Sequence, residues 1–438
     1  MTTSHNVLHT TRRAIRLATG ASVMLVAAAC SSLLDVKNPN NIAETSLSNP
    51  AAAGPEANGL LAATTRMLSA TTMVYAEATD EMDWIGSRDA WNDLETGAIG
   101  NYINEFADGA FPYAAEARYL ADKTIERLEE FDKAGRLVTK ADLMRTYLYA
   151  AVVYASVADM YDDFAFSDKT IAAAPVGRAN MFKLYDTAVG YLDKALAIAT
   201  SNTDKFNITA YRARVKHGKG VWQKITPKGA AAPANPLVND AGAVADANAA
   251  IALGSADTEF NLVNNLEATA GINVWFEVNG RNESRVGTVY TNLKDPISNA
   301  TDTRVTARLA AFKAFGTQSG TLWMTSVREL RLILAEAALA GGNTAEFTNQ
   351  INIVRALDAK PAFAGQIANN TMLAYERQAQ LWLMRRRLSD MYRFGQKDTK
   401  WAANANYDSS FSQVGLLFPI TNVERLANPC VADAAACK

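Results

Sequence analysis

"KADLMRTYLYAAVVYASVADMYDDF", Lys140 to Phe164, is the stretch that settles the fold class. Leu143, Met144, Tyr147, Leu148, Ala151, Val152, Ala155 and Ala158 recur at the three- and four-residue spacing of one buried helix face. The same period returns in Tyr119 to Phe131, Met181 to Ala199, Ala241 to Leu253, Leu322 to Ala340, Glu346 to Leu357 and Met372 to Tyr392. Continuous strand alternation is scarce, and "GINVWFEVNG", Gly271 to Gly280, is its best candidate. The expected fold class is all-α. Short connections between such helices suggest antiparallel pairs in a tetratricopeptide-like right-handed superhelix, with long irregular loops and minimal β-structure. No strict repeat of about 34 residues is visible, so the units are degenerate.

The ends of the chain read differently. Arg12, Arg13 and Arg16 precede an uncharged run from Leu17 to Ala29, a basic region followed by an apolar one. The run is shorter than the roughly 20 residues a membrane-crossing helix needs, which favours a secretory leader over residues 1–29. Ala27, Ala28 and Ala29 before Cys30 resemble a lipobox, the processing site of bacterial lipoproteins. Cys30 is then the lipidated N-terminus, and several acyl chains at roughly 0.8 kcal/mol per buried methylene hold it on a membrane. Ser31 and Ser32 follow instead of Asp, which favours the outer membrane.

Composition supports a globular chain and removes several functions. Without the three leader arginines, 40 Lys and Arg face 45 Asp and Glu, a balance near −5 that gives no basic footprint for nucleic acid and makes strongly anionic ligands less attractive. His5 and His9 leave with the leader. Only His217 remains, in "VKHGKG", where it reads as a solvated loop or helix-end residue, so a Ser-His-Asp triad or a zinc site is not expected. No cofactor is expected either. Cys430 and Cys437 in the tail are expected to form a disulfide outside the cytoplasm. Asp80, Glu81 and Asp83, or Asp162 and Asp163, could supply the two carboxyl groups of a glycosidase, set roughly 5 to 9.5 Å apart. Solvated acidic surface is the expected reading of both groups.

"YERQAQLWLMRRRLSDMYRFG", Tyr375 to Gly395, closely resembles the C-terminal signature of the SusD/RagB family of outer-membrane nutrient-uptake lipoproteins. Glu376, Arg377, Leu381, Arg387, Asp390, Arg393 and Gly395 fall at the family's spacing. Gln380 and Met384 stand where the family usually has Glu, and Arg385 where it usually has Gly. Ala335-Glu336-Ala337, Asn352 and Arg355 resemble the family's penultimate helix pair. Phe418, Pro419, Ile420, Glu424 and Asn428-Pro429 resemble its closing strand and turn, and "CSSLLDVKNPN" its mature N-terminus. Read as residues, Leu381, Met384, Leu388 and Met391 share an inward helix face, while Arg385 and Arg386 face solvent or cap carbonyls.

The resemblance implies one SusD-like domain over residues 30–438, with a helical scaffold at about 50–225 and 320–395 and irregular segments at about 226–319 and 396–438. It also implies a cell-surface lipoprotein that binds an oligosaccharide or similar oligomeric nutrient, peptide included. Such a protein serves as a lid for a SusC-like TonB-dependent transporter, without catalysis. The alternative is a tetratricopeptide-type periplasmic lipoprotein scaffold for protein partners in envelope assembly. A sugar site needs an exposed aromatic ring for the C–H face of a pyranose and polar groups for its hydroxyls. "ATDEMDWIGSRDAWNDLETGAIGNYINEFADGAFPY", Ala78 to Tyr113, is dense in both. Its candidates are Trp84, Trp91, Asp83, Arg88, Asn92 and Tyr102, with Tyr290 and Trp323 as outlying ones; the competing reading is that these aromatics plug the loop onto the core. Trp275 is expected in the core.

Overall fold

The computed structural model describes residues 44–168, 171–264, 272–317 and 319–437. The expected leader and the lipidated Cys30 lie outside the described residues. In the unit Met1–Ala52, the described part is a short helix, Glu44–Leu47, and a tight 3-10 turn, Pro50–Ala52. The unit from Ala53 onward carries the core.

Capping side chains set where its helices begin. Asn104 accepts the N–H groups of Phe106 and Ala107, both at 3.1 Å, and opens α3 (Glu105–Lys133). Thr139, Ser201 and Asp240 do the same for α4 (Lys140–Met160), α6 (Asn202–Ile225) and α7 (Ala241–Ile251). With α1 (Ala53–Glu77), α2 (Asp89–Glu95) and α5 (Phe182–Ile198), these form a consecutive stack: α1 lies on α3 and α4, α4 on α5, α5 on α6 and α6 on α7. After α8 (Thr303–Ala314), α9 (Val327–Ala340) packs on α7, α10 (Thr344–Leu357) and α11 (Asn369–Gln380). This is the expected all-α, tetratricopeptide-like architecture. The opening stretch is buried more completely than one stripe requires, since most of α4 from Asp142 to Met160 is inside, among α1, α3 and α5.

Two expectations need correction. Leu322 to Ser326 is not helical but belongs to β4 (Gly320–Ser326), antiparallel to β2 (Glu259–Asn264). The helix begins only after Ser326, whose Oγ accepts the Glu329 N–H at 3.2 Å. Conversely, Val274 to Gly280 forms a short helical segment, because the Asn273 side chain accepts the N–H groups of Trp275 and Phe276. Trp275 is in the core as expected. The remaining pair joins β1 (Met82–Trp84) to β3 (Ser284–Val286).

The signature segment is also not one helix. After α11 it turns through Leu383 (φ 56°) and Arg385 (φ 59°) before α12 (Arg387–Arg393). Both residues occupy the left-handed region that glycine adopts without a Cβ clash, so Arg385 carries backbone strain at the position where the family usually has Gly. Leu381, Met384, Leu388 and Met391 are buried as expected. The arginines are not where solvent would put them: Arg385, Arg386 and Arg387 are all buried.

Each meets a partner brought from afar. Arg385 donates to the Thr72 hydroxyl at 3.1 Å and the Trp323 carbonyl at 3.3 Å; Arg386 reaches Asp159 at 2.7 Å; Arg387 grips Asp80 with bonds of 2.7 and 2.5 Å. His217 is likewise inside, with Nε2 3.0 Å from Glu336 Oε2, and burial lowers its pKa. Gln380 serves where a third carboxylate would be repelled: its amide donates to Asp358 and Glu376, and its oxygen accepts from Arg328 at 3.2 Å.

Glu81, fully buried, accepts the Leu383 N–H at 2.6 Å, yet burial pushes its carboxyl up to about 8. An unfolded Glu releases its proton near pH 4.5, so between there and about pH 8 the folded state retains a proton that the unfolded chain has lost. The stability contributed is complete below the lower value and is lost as pH rises through the upper. Glu81→Gln should therefore gain stability relative to wild type on moving from pH 5 to pH 8, by a few kcal/mol at about 1.4 kcal/mol per unit. Thermal melts across that range check it, and a pH-independent difference would contradict it.

Candidate functional site

The structure separates the predicted ligand residues into core and surface. Trp91 is completely buried and stacks on Phe106 with centroids 3.5 Å apart and planes 8° from parallel. Tyr290 and Trp323 are buried as well, around Trp382, with centroid distances of 6.2 and 6.1 Å. These three are corrections: burying a large aromatic outweighs keeping it available, and each found a hydrophobic partner. Asp83 is also buried. Burial alone would raise its carboxyl, but Lys400 at 2.5 Å and the Thr288 N–H at 3.0 Å hold it below the usual range.

Trp84 is half-buried and packs against the core, its backbone N–H donating to Glu95 at 3.0 Å. Arg88, half-exposed, lies over the Phe106 ring at 4.5 Å and pairs with Glu105. Asn92 is half-buried on α2. Tyr102 remains open, 38% exposed. Asp80 and Glu81 are core groups and not solvated surface, with Asp80 engaged by Arg387.

Tyr102 stands in the loop before α3, and the C-terminal tail comes to it. The Asn422 N–H donates to the Tyr102 carbonyl at 2.9 Å and the Val423 N–H to Asp108 at 2.7 Å. This seats the short helix Asn422–Ala427 so that the Arg425 guanidinium lies 4.7 Å from the Tyr102 ring centre.

Arg425 also lines an open cleft of about 280 Å³. The other polar groups there are Asp162, Asp163, Arg178 and Lys228, and Pro175, Pro419, Ile420 and Val431 give it apolar walls. Backbone pairing builds it. Tyr161 bridges Phe418, Gly229 bridges Val414, and the tail is thereby strapped across the ends of α4 and α6. Gly415 makes this approach possible: it has φ +83°, and a Cβ there would stand 1.9 Å from the Ile225 carbonyl oxygen. Asn428 then ties the tail to the loop, donating to Ser167 Oγ at 3.0 Å and to the Ala173 carbonyl at 2.9 Å. Cys430 and Cys437 are joined as a disulfide just beyond.

Burial raises the Asp162 carboxyl despite the opposing pull of Arg178, with Asp163 and Asp408 adding to the rise. Arg178 and Lys228 both contact it, at 3.1 and 2.6 Å. These polar groups surround a space open to solvent, with a ring beside it. Hydroxyls can be bound there, and a flat apolar face can rest against a proline or Tyr102. Arg178, Lys228 and Arg425 were not among the sequence candidates, although Asp162 and Asp163 were noted as a carboxylate pair and the tail as a motif. No group of three or more His, Cys, Asp or Glu among the described residues has the geometry to hold a metal ion.

No protein-family model and no curated protein matches the chain. Solved structures do. A SusD superfamily protein from Bacteroides fragilis superposes with a TM-score of 0.62 at 16% identity, covering 87% of this chain and 99% of that one. The chain has the SusD-like fold. A SusD homolog from Bacteroides thetaiotaomicron gives a TM-score of 0.59 at 12% identity over 89% of this chain and 98% of that one. A SusD-like carbohydrate binding protein from Bacteroides vulgatus gives 0.56 at 13% identity, covering 87% and 97%. Within the SusD-like fold seen here, no described helix is long and apolar enough to cross a membrane.

Proposed function

We propose that the chain is an outer-membrane lipoprotein, anchored at Cys30 and exposed at the cell surface, that binds an oligosaccharide and passes it to a SusC-like TonB-dependent transporter. Residues 30–438 act as one binding domain after removal of residues 1–29, and no covalent chemistry is involved. The observation that carries the reading is the open cleft of about 280 Å³ with its five charged residues, joined through Arg425 to the exposed ring of Tyr102. The SusD-like fold supports the same assignment, and with it the transporter partner.

The test is a glycan-array screen of the lipid-free chain beginning after Cys30, followed by calorimetry on the best ligand. Tyr102→Ala should weaken binding by about 1 kcal/mol, roughly five-fold in Kd, with an unchanged melting temperature. The bound glycan should be recovered uncleaved, and the acylated protein should co-purify with a large β-barrel. Absence of glycan binding, or a Tyr102→Ala variant that binds as wild type does, would overturn the assignment of the site.

A further inference from the structure

The charges in the cleft bear on the kind of glycan, an inference that rests on the glycan-binding reading. The lining carries three cations, Arg178, Lys228 and Arg425, against two carboxylates, Asp162 and Asp163. Arg178 and Lys228 share Asp162 between them. One oxygen of Asp163 accepts the N–H groups of Phe164 and Gly177, each at 2.8 Å. Arg425 donates Nε–H to the Ile420 carbonyl at 2.7 Å and lays its face toward Tyr102. Among the described residues no carboxylate pairs with Arg425, and its two Nη groups have no protein partner. The lining therefore holds one cation in excess, with Asp408 acting on Asp162 and Arg178 from outside it, and the excess lies on a guanidinium whose paired donors match a carboxylate in geometry.

We propose that the cleft takes the carboxylate of an acidic sugar, a uronic-acid unit of an oligosaccharide. Its carboxylate meets the Nη groups of Arg425 and the ammonium of Lys228. The second oxygen of Asp163 accepts a ring hydroxyl, and Pro175, Pro419 and Ile420 receive the C–H face. Charge-assisted hydrogen bonds are about twice as strong as neutral ones, so a neutral ring gains less from the same donors. The negative balance of the whole chain does not oppose this. Charges farther away than about 10 Å are largely screened at 0.1 M salt, whereas the cleft cations act at contact.

The experiment is calorimetry of the lipid-free chain with a panel of oligogalacturonate, oligoalginate and glucuronoxylan fragments, each against its carboxyl-reduced, neutral counterpart. At least one acidic form should bind about ten-fold more tightly than its reduced form. That advantage should largely vanish in Lys228→Gln and in Arg425→Gln, with melting temperatures unchanged. If no acidic form outbinds its counterpart while neutral glycans bind, the acidic-sugar inference fails and the glycan reading stands. If nothing in the panel or on the array binds, both fail. An acidic preference that survives in both variants would place the ligand outside this cleft and overturn the inference equally.

Discussion

Arg393→Ala should lower the unfolding free energy by about 3–5 kcal/mol, the cost of leaving buried carboxylates without their cation. The Arg393 side chain is fully buried. Its Nε–H donates to Asp390 at 2.9 Å, Nη2 to Glu336 at 3.1 Å and Nη1 to the Pro236 carbonyl at 3.0 Å, with a second close contact to Glu336. Burial alone would raise the Glu336 carboxyl, but Arg393, His217 and Arg377 together hold it well below its ordinary range. A carboxylate so depressed contributes stability above its unfolded pKa, near 4.5, and that contribution is lost as pH falls toward the folded value. The variant should therefore be less stable at pH 7 and show a shallower further loss toward acid. Arg393→Lys should recover less than half, because one ammonium cannot span both carboxylates. Denaturant titrations at pH 7 and pH 4 measure both effects, and a loss below about 1 kcal/mol at pH 7 would mean that the pairs stabilise little beyond their desolvation cost.

Trp91→Ala should cost a similar amount, about 3–5 kcal/mol, as a large aromatic truncated inside a packed core. The ring has no exposed surface and lies flat on Phe106, so the truncation removes that stack and leaves a cavity beneath α2. The melting temperature should fall by several degrees. Glycan affinity of the folded protein should remain at the wild-type value. The reverse result, lost binding with an unchanged melt, would return Trp91 to the ligand surface. Tyr102→Ala, in the loop that follows α2, is expected to show the opposite pair of effects.

That contrast marks where sequence reading ends. Trp91 on α2 and Tyr102 in the following loop stand eleven residues apart with similar polar neighbours, and nothing local says which ring is covered by Phe106 and which by a guanidinium from the tail. Helix faces were legible because an α-helix repeats within a few residues, so α4 could be read from its own apolar spacing. The strand at Leu322 was not, since its hydrogen-bonding partner lies at Asn261–Val263 and the apolar run alone fits either period. The arginine triplet was misplaced for a related reason. Arginine is rarely inside unless paired, and the carboxylates for Arg386 and Arg387 stand 227 and 307 residues away. The cleft is the same case, with cations from the loop after α4, the segment after α6 and the tail. Only its tail motif and its Asp162-Asp163 pair left a trace in the order of residues.

The broken signature segment has a consequence for the order of assembly. Helices α1 to α6 contact their neighbours in sequence and can associate as each emerges, but Asp159 on α4, held there by the Tyr185 hydroxyl at 2.8 Å, and Asp80 just after α1 then lack a cation. Among the described residues, Arg386 and Arg387 are the cations that pair with them, near the C-terminal end. A chain lacking residues 375 to 395 would hold these carboxylates without their cations, a cost that keeps the first helices wet and loosely closed. A C-terminal truncation there should yield a protease-sensitive ensemble and not a smaller domain.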